Sequence, residues 1–280
     1  MAPSTPFLAA CIQMRTGRDV AANFAAAETL IREAAGAGAR FVSTPEMTLL
    51  MELDRDALVG KAVRGEDDPW VGRFALLARD LKIWLHVGSL AVELGDDAFA
   101  NRGFLISDAG EVVATYDKIH MFDVAISQSE QYRESATYRA GDRAVVAASP
   151  WGGLGLSICY DLRFPALYQA LVRGGADMIV VPAAFTAETG RAHWHTLLKA
   201  RAIETGTFVL AAAQGGHHAN GRRTYGHSLI VDPWGKILAE AADEPSFIMA
   251  EIDTSLVTST RRRVPAWAGG PLFATYRTEA

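Results

Sequence analysis

Short apolar runs alternate with amphipathic helical stretches along the chain, and this alternation limits the fold more than any other feature. Phe7–Gln13 reads as a buried strand. From Val20 to about Gly36, apolar residues recur at helical spacing after a candidate N-cap, Asp19. Further strands follow, and Asp108-Ala109-Gly110 is a hairpin turn between two of them. Strands and helices that alternate in this way, with hairpins between them, predict a mixed α/β layered domain.

No linker, repeat or low-complexity tract divides the 280 residues, so we predict a single domain over 1–280 with a sizeable core. Residues 48–67 have weak periodicity, and the long polar segment 117–142 is irregular, which is typical of a functional loop. The other predicted strands are 40–44, 83–92, 100–107, 112–116, 144–148, 154–158, 178–182, 207–212, 225–231, 237–240 and 247–252, and the other predicted helices are 71–81, 165–173, 192–205 and 254–262.

The charge balance and the apolar runs exclude several classes of partner. Basic residues number 27 and acidic residues 32, which gives a net charge of −5, whereas nucleic-acid binders are normally basic. No apolar run approaches the roughly 18 residues that span a bilayer. There is no Asn-X-Ser/Thr acceptor. We therefore expect a cytoplasmic protein that binds neither nucleic acid nor membrane.

The chain has only two cysteines, Cys11 and Cys159, which argues against a disulfide scaffold. Cys159 follows the apolar strand 154–158 and precedes the helix that begins at Pro165. Backbone N–H groups at such a turn favour a thiolate and can bind an oxyanion. The alternative is a buried cysteine that only fills space, and this alternative describes Cys11, which lies inside a strand.

Three charged residues also occupy informative positions. Glu46 follows a strand that stops at Pro45, Lys118 follows the strand 112–116, and Glu134 lies in the long polar segment. Each has an ordinary alternative: a helix-capping acid, a solvated lysine paired with Asp117, and a surface carboxylate. Together they favour one site, because the ends of core strands are where α/β proteins usually place their chemistry.

Five stretches make the sequence recognisable as a whole. It resembles the nitrilase superfamily of carbon–nitrogen hydrolases, from about Phe7 to Phe273. The resemblance implies a four-layer αββα sandwich that forms a homodimer or a higher homo-oligomer. The matching stretches are 45–46, 116–123, 155–165, 192–205 and 225–235.

The resemblance also implies roles for the candidate residues. Glu46 would be the general base, Lys118 the cation that stabilises the oxyanion, Cys159 the nucleophile that forms a thioester, and Glu134 a second acidic site residue. The backbone N–H of Tyr160 would face the same oxyanion. The carboxylate could act as a base if burial raised its pKa. No cofactor and no metal is implied.

The segment 159–165, Cys-Tyr-Asp-Leu-Arg-Phe-Pro, is similar to the amidase branch of the superfamily. This similarity implies hydrolysis of a non-peptide C–N bond, a primary amide, with release of ammonia. The substrate would be an α-keto acid amide such as deaminated glutathione. The alternatives are α-ketoglutaramate, an N-carbamoyl amino acid or an aliphatic amide.

An acidic substrate needs a cation, and Arg163 is the candidate, because a guanidinium binds a carboxylate bidentately. Its alternative is a structural salt bridge with Asp161. Phe185 and Thr186 follow a buried strand and would line the pocket, or else pack in the core. His193 would approach the pocket from a helix start, or else be structural.

Other classes stay open at this point. A Cys–His hydrolase would take its base from His120, His193 or His227. A metal hydrolase would use His193-X-His195 or His217-His218, although the latter pair lies in a Gly-rich stretch and is expected to be solvated. A non-catalytic scaffold would bind a protein partner through the same fold. The basic cluster 261–263 is expected to form a helix C-terminal face or a dimer contact.

Overall fold

A computed structural model describes residues 5–95, 98–128, 130–270 and 274. The end of the resemblance, Phe273, lies outside these residues. The strands are β1 (Phe7–Gln13), β2 (Phe41–Ser43), β3 (Trp84–Glu93), β4 (Phe99–Ile106), β5 (Val112–Asp117), β6 (Asp123–Ala125), β7 (Gln131–Arg133), β8 (Val145–Ser149), β9 (Gly152–Leu156), β10 (Ala176–Val180), β11 (Phe208–Ala211), β12 (Gly215–His217), β13 (Arg223–Tyr225), β14 (Leu229–Val231), β15 (Ile237–Glu240) and β16 (Ser246–Ile252). The helices are α1 (Val20–Gly36), α2 (Arg55–Leu58), α3 (Pro69–Leu81), α4 (Pro165–Arg173), α5 (Ala187–Thr205) and α6 (Ser255–Arg263).

Two six-stranded sheets form the centre of the molecule. The first has the order β16-β1-β2-β3-β4-β5 and the second the order β15-β14-β11-β10-β9-β8. Helices α1 and α3 pack on the first sheet, and α4 and α5 pack on the second. The layers therefore run helix, sheet, sheet, helix, which confirms the predicted four-layer αββα sandwich.

Strand β1 shows how the sequence builds these layers. Successive side chains of a strand point to opposite faces of the sheet. Ala9 and Cys11 accordingly join the apolar cluster between the two sheets, while Ala10 and Ile12 join the cluster beneath α1 and α3. A strand buried on both faces reads as a continuous apolar run, as the sequence of β1 does.

Most helix and strand predictions are confirmed within a few residues, including the Asp19 cap, whose side chain accepts a hydrogen bond from the Ala22 N–H. Two predictions are wrong. Helix α5 begins at Ala187, earlier than predicted, because Thr186 caps it. The predicted strand 225–231 is two strands, since Gly226 and His227 have positive φ and turn the chain.

Two short hairpins complete the fold near the strand ends. The polar segment 117–142 folds into the pair β6–β7 and a 3₁₀ turn at Glu134–Ala136. The Gly-rich stretch that contains His217 and His218 forms a second hairpin, β12–β13. Within the described residues, no helix is both long enough and apolar enough to cross a membrane.

Candidate active site

Three strand ends bring Glu46, Lys118 and Cys159 together. Glu46 follows β2 and Lys118 directly follows β5, both in the first sheet, while Cys159 follows β9 in the second. All three side chains are buried, with exposed fractions of 3%, 2% and 5%. The two sheets therefore meet at a polar cluster inside an otherwise apolar region.

Lys118 joins two carboxylates. Its Nζ lies 2.8 Å from Glu46 Oε1 and 2.8 Å from Glu134 Oε2. The alternative of a solvated lysine paired with Asp117 is wrong, because Asp117 instead accepts two hydrogen bonds, of 2.6 and 2.8 Å, from Arg102.

Glu46 is held on several sides. Its Oε2 accepts a hydrogen bond of 2.8 Å from the Ala184 N–H, and its carboxylate lies beside the Cys159 thiol, whose pKa is raised by burial and by this carboxylate. Gln214 Nε2 donates to the Glu46 carbonyl at 2.9 Å. One carboxylate thus contacts the thiol and the ammonium at the same time.

Asn101 is a site residue that the sequence analysis missed. This fully buried side chain in β4 donates from Nδ2 to Glu46 Oε1 at 2.9 Å and to Glu134 Oε1 at 3.1 Å. It thus donates to the same two carboxylates that Lys118 joins. A polar Asn inside an apolar strand was the signal that could have identified it.

The turn at Cys159 has an uncommon backbone. Cys159 has φ of 50°, in the left-handed region, and its N–H donates to the Pro182 carbonyl at 2.9 Å. The buried Asp161 carboxylate fixes the turn by accepting hydrogen bonds from the Ile158 N–H at 2.9 Å and the Tyr116 hydroxyl at 2.7 Å. Such a strained turn is typical of functional sites.

The charges of the cluster set its protonation state. Burial, followed by the Glu46 carboxylate, raises the pKa of the Cys159 thiol well above its ordinary value. Burial alone would raise the pKa of Glu46, but Lys118 and Arg222 hold it below its ordinary value. Burial opposes the ammonium of Lys118, yet Glu134 and Glu46 raise its pKa. Glu46 is thus buried, yet its pKa is lowered rather than raised, because the nearby cations outweigh burial.

The cluster forms the floor of a cavity of about 360 Å³. Its wall comes from the residues after β2, from the β6–β7 segment and from the β12–β13 hairpin. The lining residues are Glu46, Met47, Met51, Glu52, Leu53, Lys118, Phe122, Gln131, Tyr132, Arg133, Glu134, Ala136, Thr137, Tyr138, Cys159 and Arg222.

Most of the predicted substrate residues line a second space that also includes Cys159. Tyr160, Arg163, Phe185 and Thr186 line a narrow cleft there, and Phe185 also packs on Trp194 with ring centroids 4.9 Å apart. Arg163 does not use Asp161 as its partner, since its Nη1 lies 3.2 Å from His193 Nδ1. His193 thus contacts the cleft through Arg163 and does not line it.

The other candidate histidines have partners of their own. His120 stacks on Phe164 and lies 2.7 Å from Asp161, and His227 Nδ1 lies 2.8 Å from the Tyr225 carbonyl. The expectation that His217 and His218 are both solvated is wrong for His218, which is buried against Thr16 and Thr224. Within the described part of the chain, no group of three His, Cys, Asp or Glu is arranged to hold a metal ion.

A two-sheet α/β sandwich with a buried thiol, carboxylate and ammonium at its strand ends is typical of a hydrolase that works through a cysteine. Residues 8–262 match the family model described as carbon-nitrogen hydrolase. The chain belongs to the carbon–nitrogen hydrolase family.

Relatives and solved structures agree with this assignment. The chain is 41% identical to the deaminated glutathione amidase of Yersinia enterocolitica, over 91% of this chain and 90% of the relative. It superposes on the crystal structure of the C. elegans NitFhit protein with a TM-score of 0.89 and 37% identity, covering 96% of this chain and 66% of that one.

An amidase variant from Nesterenkonia sp. AN1 is a further structural neighbour. The TM-score is 0.78 at 25% identity, with 94% and 96% of the two chains covered. In that structure the acetamide moiety of fluoroacetamide is covalently added at the active-site cysteine.

Proposed function

We propose that the protein is an amidase in which Cys159, Glu46 and Lys118 form the catalytic triad. The observation that carries the proposal is the position of Glu46, which contacts both the Cys159 thiol and the Lys118 ammonium at the floor of the cavity. A nucleophile needs a base within hydrogen-bond reach and a donor for the oxyanion, and this arrangement supplies both. Glu134 holds Lys118 from the other side.

In the first half-reaction the Cys159 sulfur attacks the amide carbon while its proton passes to Glu46. Because the thiol pKa is raised and the Glu46 pKa is lowered, the resting pair is a neutral thiol and a carboxylate. The proton therefore moves as the C–S bond forms. Lys118 and the Tyr160 N–H stabilise the oxyanion, and each such donor is worth about 3 kcal/mol in other enzymes. Glu46 then protonates the leaving amine as the C–N bond breaks, which leaves a thioester.

The second half-reaction regenerates the enzyme. Glu46 takes a proton from a water molecule, which attacks the thioester carbonyl through the same oxyanion site. Collapse of this intermediate breaks the C–S bond and releases a carboxylic acid, and the sulfur recovers its proton from Glu46. The overall reaction consumes one amide and one water and requires no cofactor.

The substrate that we propose is an amide of an α-keto acid, such as deaminated glutathione, with α-ketoglutaramate as the alternative. The support is the similarity to the Yersinia relative and the cavity beside both carboxylates. The scissile amide of deaminated glutathione is a secondary amide, whose nitrogen belongs to the rest of the peptide. Its cleavage therefore releases an amine rather than ammonia. The ammonia release expected from the sequence applies to α-ketoglutaramate and other primary amides.

Three wider features of the protein remain proposals. We propose one domain over 1–280, supported by the family match across residues 8–262. We also propose a cytoplasmic homodimer. Arg261 from the predicted dimer contact binds Asp177 and the Ala176 carbonyl of its own chain, so the remaining arginines of the α6 end would carry such a contact.

Purified protein incubated with deaminated glutathione, α-ketoglutaramate and simple aliphatic amides tests the proposal. We expect turnover, measured as α-ketoglutarate or ammonia formed, and an acyl adduct on Cys159 in rapidly quenched samples analysed by mass spectrometry. Activity should survive EDTA and be lost on alkylation, which separates this mechanism from a metal hydrolase. If neither turnover nor adduct forms with any short amide, the scaffold alternative replaces the enzyme.

A further inference from the structure

Arg222 is a cation beside the proposed nucleophile to which the sequence analysis gave no role. It lies in the turn between β12 and β13, directly before Arg223. It lines both the wide cavity and the narrow cleft that contains Arg163. Its half-buried guanidinium therefore lies at the junction of the two spaces, next to Cys159.

The surrounding structure holds this arginine in place. Asn220 Nδ2 donates to the Met51 carbonyl at 3.1 Å, which fastens the turn to the segment after Glu46. The Arg222 N–H donates to Asn220 Oδ1 at 3.0 Å, and its Nη2 donates to the Ala184 carbonyl. The guanidinium carbon also lies 5.2 Å from the centre of the Tyr132 ring. A guanidinium fixed in this way loses little freedom when it binds an anion.

The Arg222 guanidinium also has N–H donors that are free to bind a ligand. Among the described residues, its one side-chain hydrogen bond goes to a backbone carbonyl rather than to a carboxylate, and its buried Nε has no acceptor there. A buried N–H without an acceptor is costly, so native proteins seldom keep one without a functional reason.

The other arginines near the site are engaged or exposed. Arg18 pairs with Glu52 at 2.6 Å, and Arg163 contacts His193. Arg133 is exposed at the wall of the cavity. Arg222 is thus the fixed, half-buried guanidinium shared by both spaces.

We infer that Arg222 binds the carboxylate of the substrate's acyl half and sets the preference for acidic amides. The inference rests on the proposed function. Deaminated glutathione and α-ketoglutaramate share this acyl half, an α-keto carboxylate joined through two methylenes to the scissile amide. One guanidinium near Cys159 can therefore serve both substrates, with bidentate hydrogen bonds to the carboxylate.

The test compares an acidic and a neutral amide in matched variants. The variants are Arg222→Gln, Arg222→Lys and, as a control, Arg223→Gln, which changes an exposed neighbour in the same hairpin. The substrates are α-ketoglutaramate and pentanamide, which has the same chain length without the acid. The ratio of their kcat/KM values cancels any general effect of Arg222 on Glu46 or Cys159.

We expect Arg222→Gln to lower kcat/KM for α-ketoglutaramate at least about tenfold more than for pentanamide, mainly through KM. Arg222→Lys should fall between, because it keeps the charge without the bidentate geometry. Arg223→Gln should keep the wild-type ratio. Equal losses for the two amides in Arg222→Gln, or a ratio that changes as much in Arg223→Gln, would overturn the inference.

A binding measurement separates this inference from the proposed function. Calorimetry of α-ketoglutarate with Cys159→Ala, alone and combined with Arg222→Lys, needs no turnover. Weaker binding in the combined variant supports the role of Arg222, and unchanged binding contradicts it. If the wild-type protein turns over no amide, the proposed function fails, whereas the calorimetry still decides what Arg222 binds.

Discussion

The protein has two buried cysteines in opposite surroundings. Cys11 lies inside β1, fully buried between the sheets, and burial alone raises its pKa. Cys159 lies on a turn with positive φ and has Glu46 and Lys118 beside it. Burial is therefore common to both thiols and does not distinguish them. What distinguishes Cys159 is a base and a cation within reach, together with a cavity from which substrate can approach.

The largest effect should come from exchanging the two thiols for methyl groups in turn. Cys159→Ala should lower kcat/KM about 10⁴-fold or more, because the thioester cannot form. Cys11→Ala should keep activity within roughly threefold, since it removes only a buried sulfur. Steady-state rates and circular dichroism of both variants check this. Substantial turnover by Cys159→Ala would remove the distinction between the two cysteines.

The next effect concerns the base. Glu46→Gln should lower kcat/KM about 10²- to 10⁴-fold, the range for loss of a general base. The amide keeps the size of the side chain, so a similar circular dichroism spectrum is the control. Because the pKa of Glu46 lies below its ordinary value, the wild-type profile of kcat/KM against pH should stay flat down to about pH 5 and fall below it. An acid limb whose midpoint lies near the ordinary histidine pKa of about 6.5 would point to a histidine base instead.

A smaller loss of activity should follow when the carboxylates of Glu46 and Glu134 are kept but lose a hydrogen-bond donor. Asn101→Leu keeps the volume of the side chain but removes the donor that Glu46 and Glu134 share. We expect kcat to fall about 10- to 100-fold, with a smaller change in KM, because Asn101 positions the base without touching substrate. The melting temperature is measured alongside. A rise in KM with an unchanged kcat would instead show that Asn101 contacts substrate.

A further prediction concerns the stability of the protein when the apolar site of Cys11 receives a polar group. Cys11→Ser places a hydroxyl among apolar side chains and should lower the free energy of unfolding by about 1–3 kcal/mol. Activity below the transition should be little changed. Urea unfolding followed by fluorescence measures the difference. Equal stability of the two proteins would show that the β1 site is more polar than its neighbours indicate.

The smallest expected effect concerns the pKa of the Cys159 thiol, which alkylation at different pH values reports. In a Cys11→Ala background, iodoacetamide reports only on Cys159. A thiol with a raised pKa stays protonated to higher pH, so alkylation of this variant should accelerate only above the ordinary thiol range. Glu46→Gln removes a carboxylate that raises this pKa, so the alkylation profile should move to lower pH even as turnover falls. An unmoved profile would mean that burial alone controls the thiol.

Sequence patterns were sufficient wherever one strand or one helix decides the outcome. The layers of the sandwich follow from alternation along strands such as β1, and α1 follows from its apolar spacing and the Asp19 cap. The positions of Glu46, Lys118 and Cys159 at strand ends were also readable. The prediction of one strand over 225–231 was wrong, because two residues with positive φ, Gly226 and His227, turn the chain there.

The site beyond these three residues was less readable for a physical reason. Asn101 is a polar residue in an apolar strand, a pattern that indicates a buried polar group but not its partners, and Arg222 lies in a Gly-rich turn with no local pattern that indicates a role. For Arg163 the expected partner was a substrate carboxylate or Asp161, yet its partner is His193, a side chain of another element. Contacts between elements that are distant in sequence are set by packing, which spacing does not encode.

By itself, the sequence determined the order of strands and helices, the apolar faces that join into four layers, and the residue types available at the strand ends. The tertiary structure alone decided that Glu46 has a lowered pKa and that Lys118 joins two carboxylates 2.8 Å from its nitrogen. Hydrophobic patterning is local and periodic, so it is legible along the chain. Electrostatic interactions depend on distance and burial, and these exist only once the chain has folded.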